Sequence, residues 1–297
     1  MRRSVDNHAF SSPLEVRTRQ QRPRVHFIPA DPLAWSADGR LAHKSRYLSH
    51  ARLEKGMVLS LDGVGGYNWL NRMLRWGLRD GGVQAAIVIY HWSVGPLGLW
   101  VSDLMLRRRN RAAAAILAEY IAEYRRRMPG RPVTLIGHSA GGGIAAWVLE
   151  ALPDGCQVDR AFLLSPALSP RYNLARALRA VRDRLYVAYS WTDISLMAIG
   201  TTLFGTIDGR HTPCAGLIGF RLPEGLSPED REAYRKVRQI GWRPRMIRDG
   251  NWGDHTGFTT HRYACRVLAP AVLGLSDPGE TVEPQSRKRP VFGHLSA

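Results

Sequence analysis

Short apolar runs alternate along this chain with longer stretches in which apolar residues recur at helical spacing. Met57-Val58-Leu59-Ser60-Leu61, Ala85-Ala86-Ile87-Val88-Ile89-Tyr90, Val133-Thr134-Leu135-Ile136, Ala161-Phe162-Leu163-Leu164 and Leu185-Tyr186-Val187-Ala188-Tyr189 predict strands. A further strand is expected near Arg245-Met246-Ile247. Such runs, apolar on both alternating faces, fit strands covered on each side. Between them, helices are predicted over Tyr67–Leu78, Arg111–Arg127, Gly142–Leu152, Leu174–Val181 and Thr259–Leu268; the second ends at Met128-Pro129-Gly130. Strand–helix alternation of this kind specifies an α/β fold, a doubly wound and mostly parallel sheet with helices on both faces. Right-handed crossovers then gather the functional loops at the carboxyl ends of the strands. No repeat or linker interrupts residues 25–275, which predict one domain. Residues 1–24 are basic and aperiodic, and 276–297 are rich in proline and charge, so both ends are expected to be disordered tails.

The formal net charge is +17, and only four of the 42 basic residues are lysines (Lys44, Lys55, Lys236 and Lys288). The arginines are scattered, with short runs at Arg107-Arg108-Arg109, Arg125-Arg126-Arg127 and Arg287-Lys288-Arg289. Runs at helix ends are usually solvated faces, so no obligatory nucleic-acid partner is expected. An anionic surface met by arginines stays open as a second reading. Cys156, Cys214 and Cys265 are too few and too far apart for a disulfide framework, which fits a reducing compartment. No apolar core follows Met1-Arg2-Arg3, and no stretch approaches the roughly eighteen apolar residues a spanning helix needs. A cytoplasmic protein without a transmembrane segment is the expectation.

Chemistry concentrates in Gly137-His138-Ser139-Ala140-Gly141-Gly142-Gly143, which follows the predicted strand Val133–Ile136 and opens a predicted helix. Strand, G-x-S-x-G and helix in that order form a nucleophile elbow. The serine occupies a sharp turn, so Gly137 and Gly141 keep the flanks free of side chain, and Gly142 and Gly143 let the helix approach the sheet. The Ala140 N–H lies beside the reacting carbonyl, with a helix N-terminus behind it to favour negative charge. On this segment, GHSAGG, and on the order of elements over residues 25–275, the chain resembles the α/β-hydrolase superfamily. The resemblance implies a triad in chain order Ser, Asp or Glu, His, with the acid after a late strand and the histidine after the last.

By that pattern the histidine is His255, in the glycine-rich loop Asp249–Phe258. His261 falls inside the last helix, and the turn is expected to aim His138 away from the nucleophile. Asp193, four residues beyond the strand Leu185–Tyr189, matches the acid position; Asp208 competes, and Asp254 fits a loop cap better. The loop Asp62-Gly63-Val64-Gly65-Gly66 resembles the family's glycine-rich oxyanion loop, with Asp62 where a histidine usually leads, and points to Val64, then Gly63, as the second oxyanion donor. Asn68 replaces the last glycine a dinucleotide fingerprint would need, and no HExxH, EF-hand or Walker sequence occurs, so no cofactor or metal is expected.

The span Ser165–Arg184, where larger relatives insert a cap, holds one helix and short loops, so little or no cap is expected. Its arginines Arg176, Arg179 and Arg182 mark either the outer face of a packed helix or a basic rim. Trp92, Trp100, Trp191 and Trp252 fall near strand-end loops, as core or as acyl-pocket lining. The resulting expectation is a serine esterase or lipase-like enzyme acting on a small-molecule or lipid ester. Thioesterase, acyltransferase or amidase activity from the same triad is the alternative, and so is a non-catalytic basic binding protein.

Overall fold

A computed structural model of the chain describes residues 47–64, 69–90, 92–93, 105–193 and 205–281. Six parallel strands form the sheet: β1 (Met57–Leu61), β2 (Ala86–Tyr90), β3 (Val133–His138), β4 (Val158–Leu164), β5 (Val181–Tyr189) and β6 (Val237–Gly241). They lie in the order β2-β1-β3-β4-β5-β6, and a two-residue β7 (Glu280–Thr281) pairs antiparallel with the outer edge of β6.

Side chains of the central strands alternate between two cores, as the pleat requires. Leu59, Leu61, Leu135, Leu163 and Val187 face one side, where they meet α2 (Arg107–Arg127) and α3 (Ala140–Ala151) through Leu117, Ile121, Ile144 and Val148. Val58, Ile136, Phe162, Tyr186 and Ala188 face the other, against Leu74 and Leu78 of α1 (Trp69–Asp80) and Tyr263 and Leu268 of the terminal helical run His261–Val272. Helices therefore cover both faces, which leaves the strand ends as the places where polar chemistry meets solvent. At the amino ends, Asp159 ties the layers together: it accepts from Arg125 at 2.6 Å, Arg182 at 2.9 Å and the Val133 N–H at 2.7 Å.

The structure departs from the sequence pattern in three places. Arg245-Met246-Ile247 is not a strand but part of a 3₁₀ helix, Pro244–Asp249, and the last parallel strand is β6. In β6, Gln239 serves the neighbouring loop, accepting from the Phe220 N–H at 2.7 Å and donating to the Phe220 carbonyl at 3.1 Å. The packed chain also continues past Leu275. Asp277 accepts from Tyr186 Oη at 3.0 Å and pairs with Arg184 and Arg238, and β7 follows it. Finally, Leu174 and Leu178 pack the span after β4 into the core, while the long excursion lies between β5 and β6. The expected tail 1–24 lies outside the described residues. Among the described residues no helix is long and apolar enough to cross a membrane.

Candidate active site

Ser139 stands between β3 and α3 with φ 57 and ψ −126. A non-glycine residue at positive φ is strained, at a cost of order 1–3 kcal/mol, and persists only where its surroundings impose it. Here they do. The Ser139 N–H donates to the Leu164 carbonyl at 2.9 Å, and its carbonyl accepts from Gly142 at 2.9 Å and Ala167 at 3.0 Å. The flanking glycines are required by close approach. A Cβ on Gly137 would stand 2.3 Å from the Gly141 carbonyl, and one on Gly141 would stand 2.2 Å from the Asp62 carbonyl. Gly142 lies against Gly137 of β3, where a Cβ on Gly137 would stand 2.8 Å from its Cα, and Gly142 and Gly143 also face Pro166 and Ile207, so they admit loops as well as the sheet. The Ser139 side chain makes no capping bond to its own helix, which leaves its hydroxyl available for chemistry.

The loop after β1 lies against this turn. A Cβ on Gly63 would come within 3.2 Å of Ser139 Cβ and 3.7 Å of its Oγ, whereas Val64 packs against the core beside α3. Ala140 is the first residue of α3, where the backbone N–H has no partner within the helix. Trp92 is fully buried and donates to the Asp62 carbonyl at 2.6 Å, so it props the loop from below instead of lining an acyl pocket. Gly65, Gly66 and Trp100 lie outside the described residues.

His255 and Asp193 meet at the ends of β6 and β5, with His255 Nδ1 2.7 Å from Asp193 Oδ2. A carboxylate can only accept, so Nδ1 carries the proton and Nε2 presents a lone pair. Asp193 is buried, and the two loops are stitched together: Ser190 Oγ and Thr192 Oγ1 both donate to the Gly253 carbonyl, at 2.6 and 2.7 Å. Asn251 Oδ1 accepts from the Gly253 N–H at 3.0 Å, which tightens the turn before His255. No hydrogen bond joins Ser139 to His255 in this conformation, and such bonds commonly close only around substrate.

The competing residues are engaged elsewhere. Asp208 accepts from the Ser169 N–H at 2.9 Å and its Oγ at 2.6 Å. Asp254 accepts from Thr256 Oγ1 at 3.0 Å, a local loop contact. His261 pairs with Asp80 at 2.7 Å. Arg179 and Arg182 are held by Asp230 and Asp159. Trp191 and Trp252 are mostly exposed, beside Asp193 and His255 respectively. Among the described residues no group of three His, Cys, Asp or Glu side chains is placed to hold a metal ion.

His138 plays a part the sequence did not suggest: its Nε2 lies 2.9 Å from the His255 carbonyl, and the two rings sit 4.7 Å apart. The reason is the pleat. His138 shares a face with Ile136, two residues earlier, and that face is the one Phe258 covers as the His255 loop returns. The period of two along β3 was the signal available for it. Burial, followed by the neighbouring His255, pushes the His138 pKa down to about 3, so its ring is neutral and donates through Nε2. Replacing His138 with alanine should misplace the His255 backbone and lower kcat by about 10²-fold with little change in KM. Glutamine, whose amide can donate in place of Nε2–H, should restore part of it; equal kcat in all three proteins would refute the role. Between pH 6.5 and about 3 the unfolded chain takes up a proton that folded His138 refuses. Thermal stability should therefore fall with pH over that window, and less steeply in His138→Gln.

A family model described as serine aminopeptidase, S33, matches residues 111–202. No curated protein matches the chain. Among solved structures, esterase PE8 is 17% identical, with TM-score 0.39, covering 64% of this chain and 83% of its own. A poly(3-hydroxybutyrate) depolymerase from Bordetella parapertussis is 13% identical, with TM-score 0.43, covering 75% and 80%. Lipase B of Aspergillus fumigatus is 14% identical, with TM-score 0.45, covering 78% of this chain and 54% of its own. The matched segment takes in most of α2, the Ser139 turn and Asp193, and the parallel sheet covered by helices on both faces has the α/β-hydrolase fold.

Proposed function

We propose that this protein hydrolyses carboxylic esters through an acyl-serine intermediate, with Ser139 as nucleophile, His255 as general base and Asp193 as its orienting acid. The observation that carries the reading is the buried Asp193–His255 pair at 2.7 Å, set on loops beside a serine held at φ 57. In the first half-reaction, Ser139 Oγ bonds to the ester carbonyl carbon while its proton passes to His255 Nε2. Negative charge moves to the carbonyl oxygen, where the Ala140 N–H and an amide of the Gly63–Val64 segment can receive it. The tetrahedral centre collapses as His255 returns the proton to the departing alkoxide, leaving an acyl-serine and a free alcohol. Water then attacks the acyl carbon by the same proton relay and releases the carboxylic acid. Asp193, buried against the imidazole, holds the Nδ1–H tautomer and stabilises the imidazolium of each half-reaction.

Two measurements test this. A fluorophosphonate probe should label the folded protein, with the adduct on the peptide bearing Ser139, and a panel of acyl esters should be turned over. Failure of both with folded protein overturns the reading. The description of the matched family as aminopeptidases favours a second reading, cleavage of an amide by the same acyl-serine. Matched aminoacyl amides in the panel decide between them: faster amide than ester turnover selects the second.

A further inference from the structure

Three tryptophans stand on or next to the loops of the candidate site. Trp191 stands two residues before Asp193 and is 61% exposed, and Trp252 stands three before His255 and is 69% exposed. Trp242 closes the group, its ring 6.0 Å from Trp191 and its Nε1–H on the Asn251 carbonyl at 3.1 Å. Gly253 sits at their junction: a Cβ there would meet Thr192 Oγ1 at 2.5 Å and the Trp242 ring at 2.7 Å. Directly after Trp242 comes the 3₁₀ helix Pro244–Asp249. It tucks Met246 toward the core and leaves Arg245, Ile247 and Arg248 exposed. Among the described residues neither Arg245 nor Arg248 forms an ion pair, although many other arginines of this chain are paired with a carboxylate.

Large aromatic side chains this exposed are unfavourable in water, and clustered ones mark an interaction surface. Tryptophan suits one environment in particular, the headgroup layer of a lipid surface, where an apolar ring can be half submerged while its N–H stays hydrated. Cations next to such rings add attraction to anionic headgroups. The face lies on the carboxyl edge of the sheet, continuous with the loops of Asp193 and His255. The chain's net charge of +17 brings it toward an anionic surface from any direction, and this face adds exposed rings and cations on the loops that carry Asp193 and His255.

We infer that Trp191, Trp252, Ile247, Arg245 and Arg248 form a docking face for an anionic lipid surface, which sets the mouth of the site against the layer holding acyl esters. The biological purpose rests on the ester-hydrolase reading, but the binding does not. The test therefore uses the full chain carrying Ser139→Ala, which cannot turn lipid over. Co-sedimentation is measured with vesicles of phosphatidylcholine alone and of phosphatidylcholine mixed with phosphatidylglycerol. Binding is expected to the mixed vesicles only. Adding Arg245→Ala and Arg248→Ala together should weaken it by about 25-fold, from roughly a factor of five for each cation at such a surface. Adding Trp191→Ala and Trp252→Ala should weaken it at least tenfold, with circular dichroism confirming the fold of each variant. No sedimentation with mixed vesicles overturns the inference. So does sedimentation unchanged by either pair, which would mean that the general positive charge binds without this face. If the tryptophan pair alone has no effect, the surface is merely electrostatic and a polyanion such as nucleic acid would serve as well, which also overturns it. A catalytically dead wild type that still sediments as described would remove the ester reading and leave the docking face standing.

Discussion

Ser139→Ala should abolish fluorophosphonate labelling and lower kcat by about 10⁶-fold, while residual turnover stays above the uncatalysed rate. The size of the loss follows from the unit character of the triad: without an oxygen to receive, His255 and Asp193 have no proton to move. The surviving rate comes from binding and from oxyanion donors that the mutation leaves in place. A companion substitution separates catalysis from strain. Ser139→Gly should be equally inactive yet more stable by about 1 kcal/mol, because glycine adopts φ 57 without a Cβ penalty. A melting temperature raised by a few degrees, together with lost labelling, is the expected pattern. If Ser139→Gly melts no higher than the wild type, the turn is not strained in solution and the elbow is read wrongly.

The second large effect is at the acid. Asp193→Asn keeps the shape of the side chain but can offer an N–H to His255 Nδ1, forcing the proton onto Nε2, where Ser139 needs an acceptor. A loss of kcat of about 10⁴-fold is expected, the scale on which a triad with the wrong tautomer fails. KM should move far less, since Asp193 is buried behind the imidazole and does not line the path of substrate. Asp208→Asn is the control, because Asp208 serves Ser169 on a different loop. Kinetics on both variants decide the matter. If the loss follows Asp208 instead, the two loops exchange partners in solution and the acid is misassigned.

How much of this was legible in the sequence depended on how local the cause was. The elbow was legible because its demands fall on neighbouring residues: a serine at a strained turn needs glycines two positions away on each side, and Gly137 and Gly141 are there. The central strands were legible because both of their faces are buried. β6 was not, because Arg238 and Gln239 spend their side chains on Asp277 and Phe220, so the run lacks the apolar signature while Met246-Ile247 nearby imitates it. The choice between Asp193 and Asp208 is a tertiary fact. Asp193 follows a turn and Asp208 sits within one, and only the packing of Ser190 and Thr192 on Gly253 against that of Ser169 on Asp208 separates them. His138 was legible only in part: the period of two along β3 puts it on the face of Ile136, but its partner carbonyl lies 117 residues away.

The short antiparallel pairing at the sheet's outer margin bears on how the molecule keeps to itself. A parallel strand with a bare flank offers a row of amides and carbonyls to any other chain, which is how sheets recruit copies of themselves into aggregates. Glu280 and Thr281 occupy that flank opposite Gln239 and Arg238, and the charged cluster around Asp277 fastens them there. The segment thus works as a stopper, guarding the strand from which the His255 loop departs. Self-association and damage to the candidate active site would start from the same exposed flank.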